Sequence, residues 1–203
     1  MLRFVAFVGD GSYVASCTMA RLTSHFAAAS EWISIRLGAQ VTVFCQTAQR
    51  DEVQVFPDDD GVIVGRVFEQ PGSESSVPAR IRLDGELGAK IIRCAGRTLI
   101  DRHWGRYVAF LHDRKSRCTY VLRDPTGHLP CFMFQTQGVI FYFSDVAVCL
   151  ALGVARFSVN WRFVAAYLCN WRLQNHQTGL AEVSEVQPGE CVEHRFDGSR
   201  KTL

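Results

Sequence analysis

The apolar positions of the chain change period only a few times, and each change marks an element. Residues 3–8 (Arg-Phe-Val-Ala-Phe-Val) form an apolar run halted by Gly9-Asp10-Gly11, which predicts a strand. From Thr18, apolar residues recur at Met19, Leu22, Phe26 and Ala29, which is helical spacing. Alternation follows at Ile33, Ile35 and Leu37, breaks at Gly38, and resumes at Val41, Val43 and Cys45, predicting a hairpin. A second hairpin is predicted from Val53 and Val55, a turn at Pro57-Asp-Asp-Asp-Gly61, and Val62-Ile-Val-Gly65. Residues 70–79 are rich in Gly, Pro and Ser and are expected to form a mobile surface loop.

Residues 84–102 are expected to hold a helix and a short second turn, with Leu87, Ile91, Ala95 and Leu99 on one face. Strands are predicted at 104–112 and 116–123. In the first, Val108 and Phe110 face one way and Tyr107, Ala109 and Leu111 the other, so both faces must be covered. A hairpin over 131–135 and 139–144 turns at Gln137-Gly138. Short helices follow at 145–151 and 160–170, then a turn at Gln187-Pro-Gly189 and a strand over 190–194. Hairpins imply antiparallel sheets, and strands apolar on both faces imply layers on each side; an α+β sandwich satisfies both. Phe4, Val108, Phe110, Val121 and Phe143 are the expected core.

Composition narrows the picture little. Nearly half of the 203 residues are apolar and about a fifth are charged, enough for one ordinary domain with its own core. The net charge of +2, with arginines scattered, lacks the basic footprint of a nucleic-acid binder. No stretch is long enough to span a membrane. The eight cysteines (17, 45, 94, 118, 131, 149, 169 and 191) fall one per element without C-x-x-C pairs, so neither a zinc site nor a disulfide framework is expected. They read as buried, reduced thiols of a cytoplasmic protein.

Three segments carry a family resemblance. Trp104-Gly-Arg-Tyr-Val-Ala-Phe-Leu-His-Asp113, with Tyr120-Val-Leu-Arg-Asp-Pro-Thr-Gly127 and Leu129-Pro-Cys-Phe-Met133, is similar to the G-x-[FY]-A-F, R-D-P-x-G and P-L-Y-Y run of asparagine synthetases. Phe141-Tyr-Phe-Ser-Asp145 resembles their F-A-S-E, and Val186-Gln-Pro-Gly-Glu190 the L-P-P-G that closes their glutaminase domain. The resemblance implies that residues 1–203 form a class II glutamine amidotransferase domain with the N-terminal-nucleophile (Ntn) fold, a four-layer α/β/β/α sandwich of two antiparallel sheets.

It also implies a catalytic defect. In this family a cysteine following the initiator methionine attacks the glutamine amide. Here the matching residue is Leu2. The family's Asn-Gly-Glu at the oxyanion and substrate site matches Val64-Gly65-Arg66, and its Gly-Asp element has no counterpart near Leu87-Gly88-Ala89. No catalytic residue, cofactor or metal is therefore expected within the chain. Cys17 would become N-terminal only by a cut that discards the first strand, and is expected to be structural. His103, His112 and His128 are expected to be surface or satisfied side chains.

An ATP-dependent synthetase domain is expected after residue 203, because the S-G-G-x-D-S loop of the family is missing and Lys201-Thr-Leu203 falls where its linker would begin. That domain would be the partner and would hold ATP and Mg. The Pro130-Cys131 pair, where asparagine synthetases have Pro-Leu, resembles the macrolactam cyclases of lasso peptides, which implies a peptide substrate. A β-lactam synthetase, an ammonia-dependent asparagine synthetase relative and a stand-alone binding module are the alternatives.

Overall fold

The computed structural model describes residues 2–70, 79–170, 175–195 and 197–203. The loop expected at 70–79 lies almost wholly outside the described residues. In chain order the elements are β1 (Arg3–Gly9), α1 (Tyr13–Ala27), β2 (Ile33–Leu37), β3 (Val41–Gln46), a 3-10 turn at Arg50–Glu52, β4 (Val53–Val55) and β5 (Gly61–Glu69). There follow α2 (Gly85–Arg93), α3 (Arg97–Arg102), β6 (His103–Asp113), β7 (Cys118–Arg123), β8 (Phe132–Thr136) and β9 (Val139–Phe143). The chain continues through α4 (Val146–Ala151), α5 (Trp161–Cys169), β10 (Ser184–Glu185), β11 (Cys191–Arg195) and β12 (Arg200–Thr202). No helix among the described residues is long and apolar enough to cross a membrane.

The strands form two antiparallel sheets, ordered β10-β8-β9-β1-β3-β2 and β12-β11-β7-β6-β5-β4. Side-chain alternation on these strands feeds three apolar layers. Between the sheets, Phe4, Ala6, Val43 and Tyr142 of the first meet Val62, Val64, Val108, Phe110, Val121 and Val192 of the second. The opposite face of the first sheet (Val5, Phe7, Phe44, Phe141, Phe143) is covered by Met19, Leu22 and Phe26 of α1 and Cys149 of α4. The opposite face of the second (Ile63, Tyr107, Ala109, Leu111, Leu122) is covered by Ile91 of α2 and Leu99 of α3. This is the expected α/β/β/α sandwich, and Phe4, Val108, Phe110, Val121 and Phe143 are all fully buried.

Among the polar contacts between the sheets, one lies in the middle of the central layer. The Tyr142 hydroxyl of the first sheet and His194 Nε2 of the second share a hydrogen bond of 2.5 Å, both side chains buried. Burial holds the His194 imidazole neutral, with its pKa lowered to about 4, and the nearby Arg200 cation adds to the effect.

Several boundaries differ from expectation. Helix α1 starts at Tyr13, five residues earlier, because Ser12 caps it by accepting a hydrogen bond from Ala15 N at 3.1 Å. Tyr13 and Val14 face outward and so lie off the apolar stripe. The 84–102 segment is two helices: Ala95 has φ 51°, so it forms the bend between α2 and α3 and does not continue the helical face. Strand β5 runs on past Gly65 to Glu69. The cysteines are all free, but Cys17 and Cys169 are exposed and Cys94 half-buried; only the other five match the expected buried thiols. Cys17 and Cys169 fall on the outward sides of α1 and α5, which local spacing did not distinguish.

Candidate functional site

The family-like turn motifs interlock at one end of the sandwich. Asp124, fully buried, accepts hydrogen bonds from Tyr107 N (3.1 Å), Thr126 N (2.8 Å) and Gly127 N (3.1 Å). Its neighbour Arg123, also buried, donates to Leu129 O (3.0 Å), Gly127 O (2.6 Å) and Val186 O (2.5 Å), and pairs with Glu185 at 2.7 Å. Gly189 N reaches Arg123 O and Asp124 O, each at 3.2 Å. The Arg123–Gly127 and Val186–Glu190 segments thus form one hydrogen-bonded knot, with a half-buried ion pair whose buried arginine has nearly all its donors used. Such a knot sets geometry and leaves little capacity for a ligand.

Beside this knot lies a cleft of about 620 Å³. Leu2, Arg3, Glu52, Arg66, Arg106 and His128 line it, with Ser144 and Asp145 at its edge. Sequence reasoning singled out Leu2 and Arg66, and the structure brings both to this wall. Leu2 is 8% exposed and its side chain belongs to the inter-sheet core. Gly65 lies behind the wall. Val64 does not line the cleft; it is fully buried between the sheets. Leu87-Gly88-Ala89 sit on α2, where Gly88 rests on Phe56, and do not line the cleft.

A backbone pinch shapes the wall. Gly65 (φ 118°) and Gly105 (φ 156°) flank the directly opposed pair Arg66 and Arg106 on β5 and β6. A Cβ on Gly65 would stand 2.1 Å from Arg106 O, and one on Gly105 would stand 2.0 Å from Arg66 O. Only glycine allows this approach. Two like charges directly opposite repel, and Glu52 bridges them. Its carboxylate, 7% exposed, lies 3.2 Å from Arg66 Nε and 3.5 Å from Arg106 Nη2. Thr47 Oγ1 donates to the same carboxylate at 2.7 Å, and Arg66 also donates to Gln49 Oε1. Arg3 pairs with Asp145 at 2.5 Å, and Ser144 Oγ accepts from Phe4 N at 3.0 Å.

Sequence reasoning missed Arg106 and Glu52. The register of β5 on β6 would have found Arg106, since it places residues 66 and 106 opposite each other. Of the three histidines, His103 is buried with Nδ1 3.1 Å from Thr98 O, and His112 lies 3.2 Å from Thr119 Oγ1. His112 is held below its usual pKa chiefly by burial. Only His128 borders the cleft, exposed on its rim. No cysteine lines the cleft among the described residues.

The fold and the motifs find counterparts among known proteins. A solved structure described as that of "the allosteric regulatory enzyme of purine biosynthesis" is similar over all of this chain, with a TM-score of 0.51 at 11% identity. The chain spans about half of that protein's length, 48%. At this identity the likeness concerns the fold alone. Comparison with curated protein sequences gives no match. The family model of a glutamine amidotransferase domain matches residues 73–202, a span that takes in β6, the Arg123–Gly127 turn, the Ser144-Asp145 edge and the Pro188-Gly189 turn. With the two-sheet sandwich and this match over more than half its length, the chain belongs to the glutamine amidotransferase domain family.

Proposed function

We propose that this domain hydrolyses no glutamine and serves as a non-catalytic part of an ATP-dependent, AMP-forming amide synthetase related to asparagine synthetases. The reading rests above all on Leu2, a buried aliphatic side chain where the family places its nucleophile. A nucleophile is the one component that neither binding nor an oxyanion hole replaces. Removal of even a single oxyanion donor lowers the rate on the order of 10²–10³-fold. Here the amide-donor position holds Val64, turned into the core, and the position that would meet the substrate amine holds the cation Arg66.

Without its own ammonia, such an enzyme needs another amine. The parent is read as a macrolactam cyclase of the lasso-peptide type. A peptide carboxylate attacks the α-phosphorus of ATP, releasing pyrophosphate and forming an acyl-adenylate. The α-amine of the same peptide then attacks the acyl carbon, AMP leaves, and the amine sheds a proton. The ring is lighter than its precursor by one water. A tethered amine competes well, because effective molarities of oriented intramolecular reactions reach about 10⁵–10⁸ M. ATP and Mg belong to the synthetase domain in this reading, and the present domain packs against it and contributes no reacting side chain. The test supplies the full-length enzyme with ATP, magnesium and a leader-processed precursor. A product lighter by one water, formed with AMP, supports the reading. Asparagine made from aspartate and ammonia, with no cyclic product, refutes the cyclase assignment. Glutamine turnover abolished by Cys17→Ala refutes the loss of glutaminase chemistry.

A further inference from the structure

The face of β5 and β6 that lies inside the sandwich continues beyond the region covered by the other sheet. Its cross-strand pairs run Val62 with Phe110, Val64 with Val108, Arg66 with Arg106, and Phe68 with Trp104. The first two pairs are fully buried. The third is the cation pair of the cleft, and the fourth is an aromatic platform: Trp104 stacks on Phe68 at 4.9 Å and 27°, yet is 43% exposed. A second depression of about 480 Å³ lies over Phe68, Trp104 and Thr126 and shares Arg66, Arg106 and His128 with the cleft. The two hollows are one groove, cationic at the inner end and aromatic at the outer.

Charge in this groove is not balanced. Arg3, Arg66 and Arg106 face Glu52 and Asp145, and Arg3 is already paired with Asp145. Glu52 alone serves both other guanidiniums and also accepts from Thr47, and its contact to Arg106 is the long one, 3.5 Å. The Arg106 side chain is 47% exposed. It therefore keeps planar N–H donors for an incoming oxyanion, the geometry that guanidinium offers to a carboxylate.

From this arrangement we infer that the groove is a binding site for a ligand carrying a carboxylate and a flat ring, the carboxylate on Arg106 and Arg66 and the ring on Trp104. Two strand steps separate the pairs, about 7 Å along the backbone, a spacing that suits a carboxylate and a ring joined by a short linker. This inference does not depend on which amide the parent enzyme makes. It assigns the groove a ligand different in kind from glutamine, which has no ring to place on Trp104.

Hippurate, a carboxylate joined to a phenyl ring by an extended linker of suitable length, is the probe. Titration calorimetry of the domain would compare it with hippuramide, inorganic phosphate and glutamine at low salt. Hippurate is expected to bind at least tenfold more tightly than each of the three. Arg106→Gln should weaken hippurate about tenfold or more, Arg106→Lys less, and Trp104→Ala severalfold; both positions are exposed enough to keep the fold, which circular dichroism checks. The affinity should fall as salt rises. No hippurate binding at millimolar concentration, equal affinity for hippuramide or glutamine, or an Arg106→Gln variant that binds as the parent does would each overturn the inference.

Discussion

Lowering the pH from 7 to 5 is expected to cost the fold about 2 kcal/mol through a single side chain, His194. Its imidazole is buried in the central layer against the Tyr142 hydroxyl, and its pKa is lowered to about 4 by burial and by Arg200. In the unfolded chain the same group titrates near 6.5. The folded state therefore holds the proton less tightly than the unfolded one. The contribution is intact above about pH 6.5 and is lost as the pH falls toward 4, about 3 kcal/mol in all, two-thirds of it by pH 5. Urea unfolding followed by circular dichroism at several pH values measures this. Carboxylates titrate in the same range, so the informative quantity is the difference between the parent and His194→Phe. That variant leaves the Tyr142 hydroxyl without its partner, a pH-independent loss of about 1–3 kcal/mol that a Tyr142→Phe partner change removes. If parent and His194→Phe lose stability in parallel between pH 7 and 5, the neutral buried imidazole is not the source and the reasoning fails.

Three further outcomes are expected. Phe110→Ala should destabilise by about 3–5 kcal/mol in the same urea assay, since its ring is fully buried between the sheets and packs edge-on against Phe4 at 5.7 Å. Asp124→Ala should cost about 3–5 kcal/mol, because it strands the Tyr107, Thr126 and Gly127 amides in the turn knot; a change within 1 kcal/mol would show that water replaces the carboxylate. Native thiol labelling followed by mass spectrometry should modify Cys17 and Cys169 quickly. Cys45, Cys149 and Cys191, whose thiols burial pushes up to about 12, should react only on unfolding.

The layers of the fold were legible because alternation records burial directly. Val108 and Phe110 on one side of a strand, with Tyr107, Ala109 and Leu111 on the other, require a cover on each side, and the two outer helix layers supply one of them per sheet. Periodicity marks a buried stripe and says little of where a helix begins, so the first turn of α1, with Tyr13 and Val14 outside, was lost. Strands β10 and β12 were invisible because they are short and polar, and take their strand form from pairing with Phe132–Met133 and Val192–His194. At the site, Leu2 and Arg66 stood out by departing from a motif. Glu52 lies in a polar stretch that reads as loop, and Arg106 sits inside a scaffold-like strand. Their meaning comes from a cross-strand register and from the Gly65–Gly105 pinch, neither of which a single sequence settles.

The central place of β1 in its sheet has a consequence for biosynthesis. Phe4 exchanges hydrogen bonds with Ser144, 140 residues further along the chain, just past the strand that flanks β1 on one side. At the pace of translation that stretch takes on the order of 10 s to emerge from the ribosome. Through that interval β3 is the one of its two sheet neighbours that β1 can pair with, and its other edge, Phe4-Val-Ala-Phe-Val8, stands open as an apolar template preceded by the single charge of Arg3. Such an edge recruits other strands, including those of neighbouring nascent chains. Shielding of that edge until β9 arrives is expected to favour the folded product, and slower elongation over the second half of the message should lower its yield.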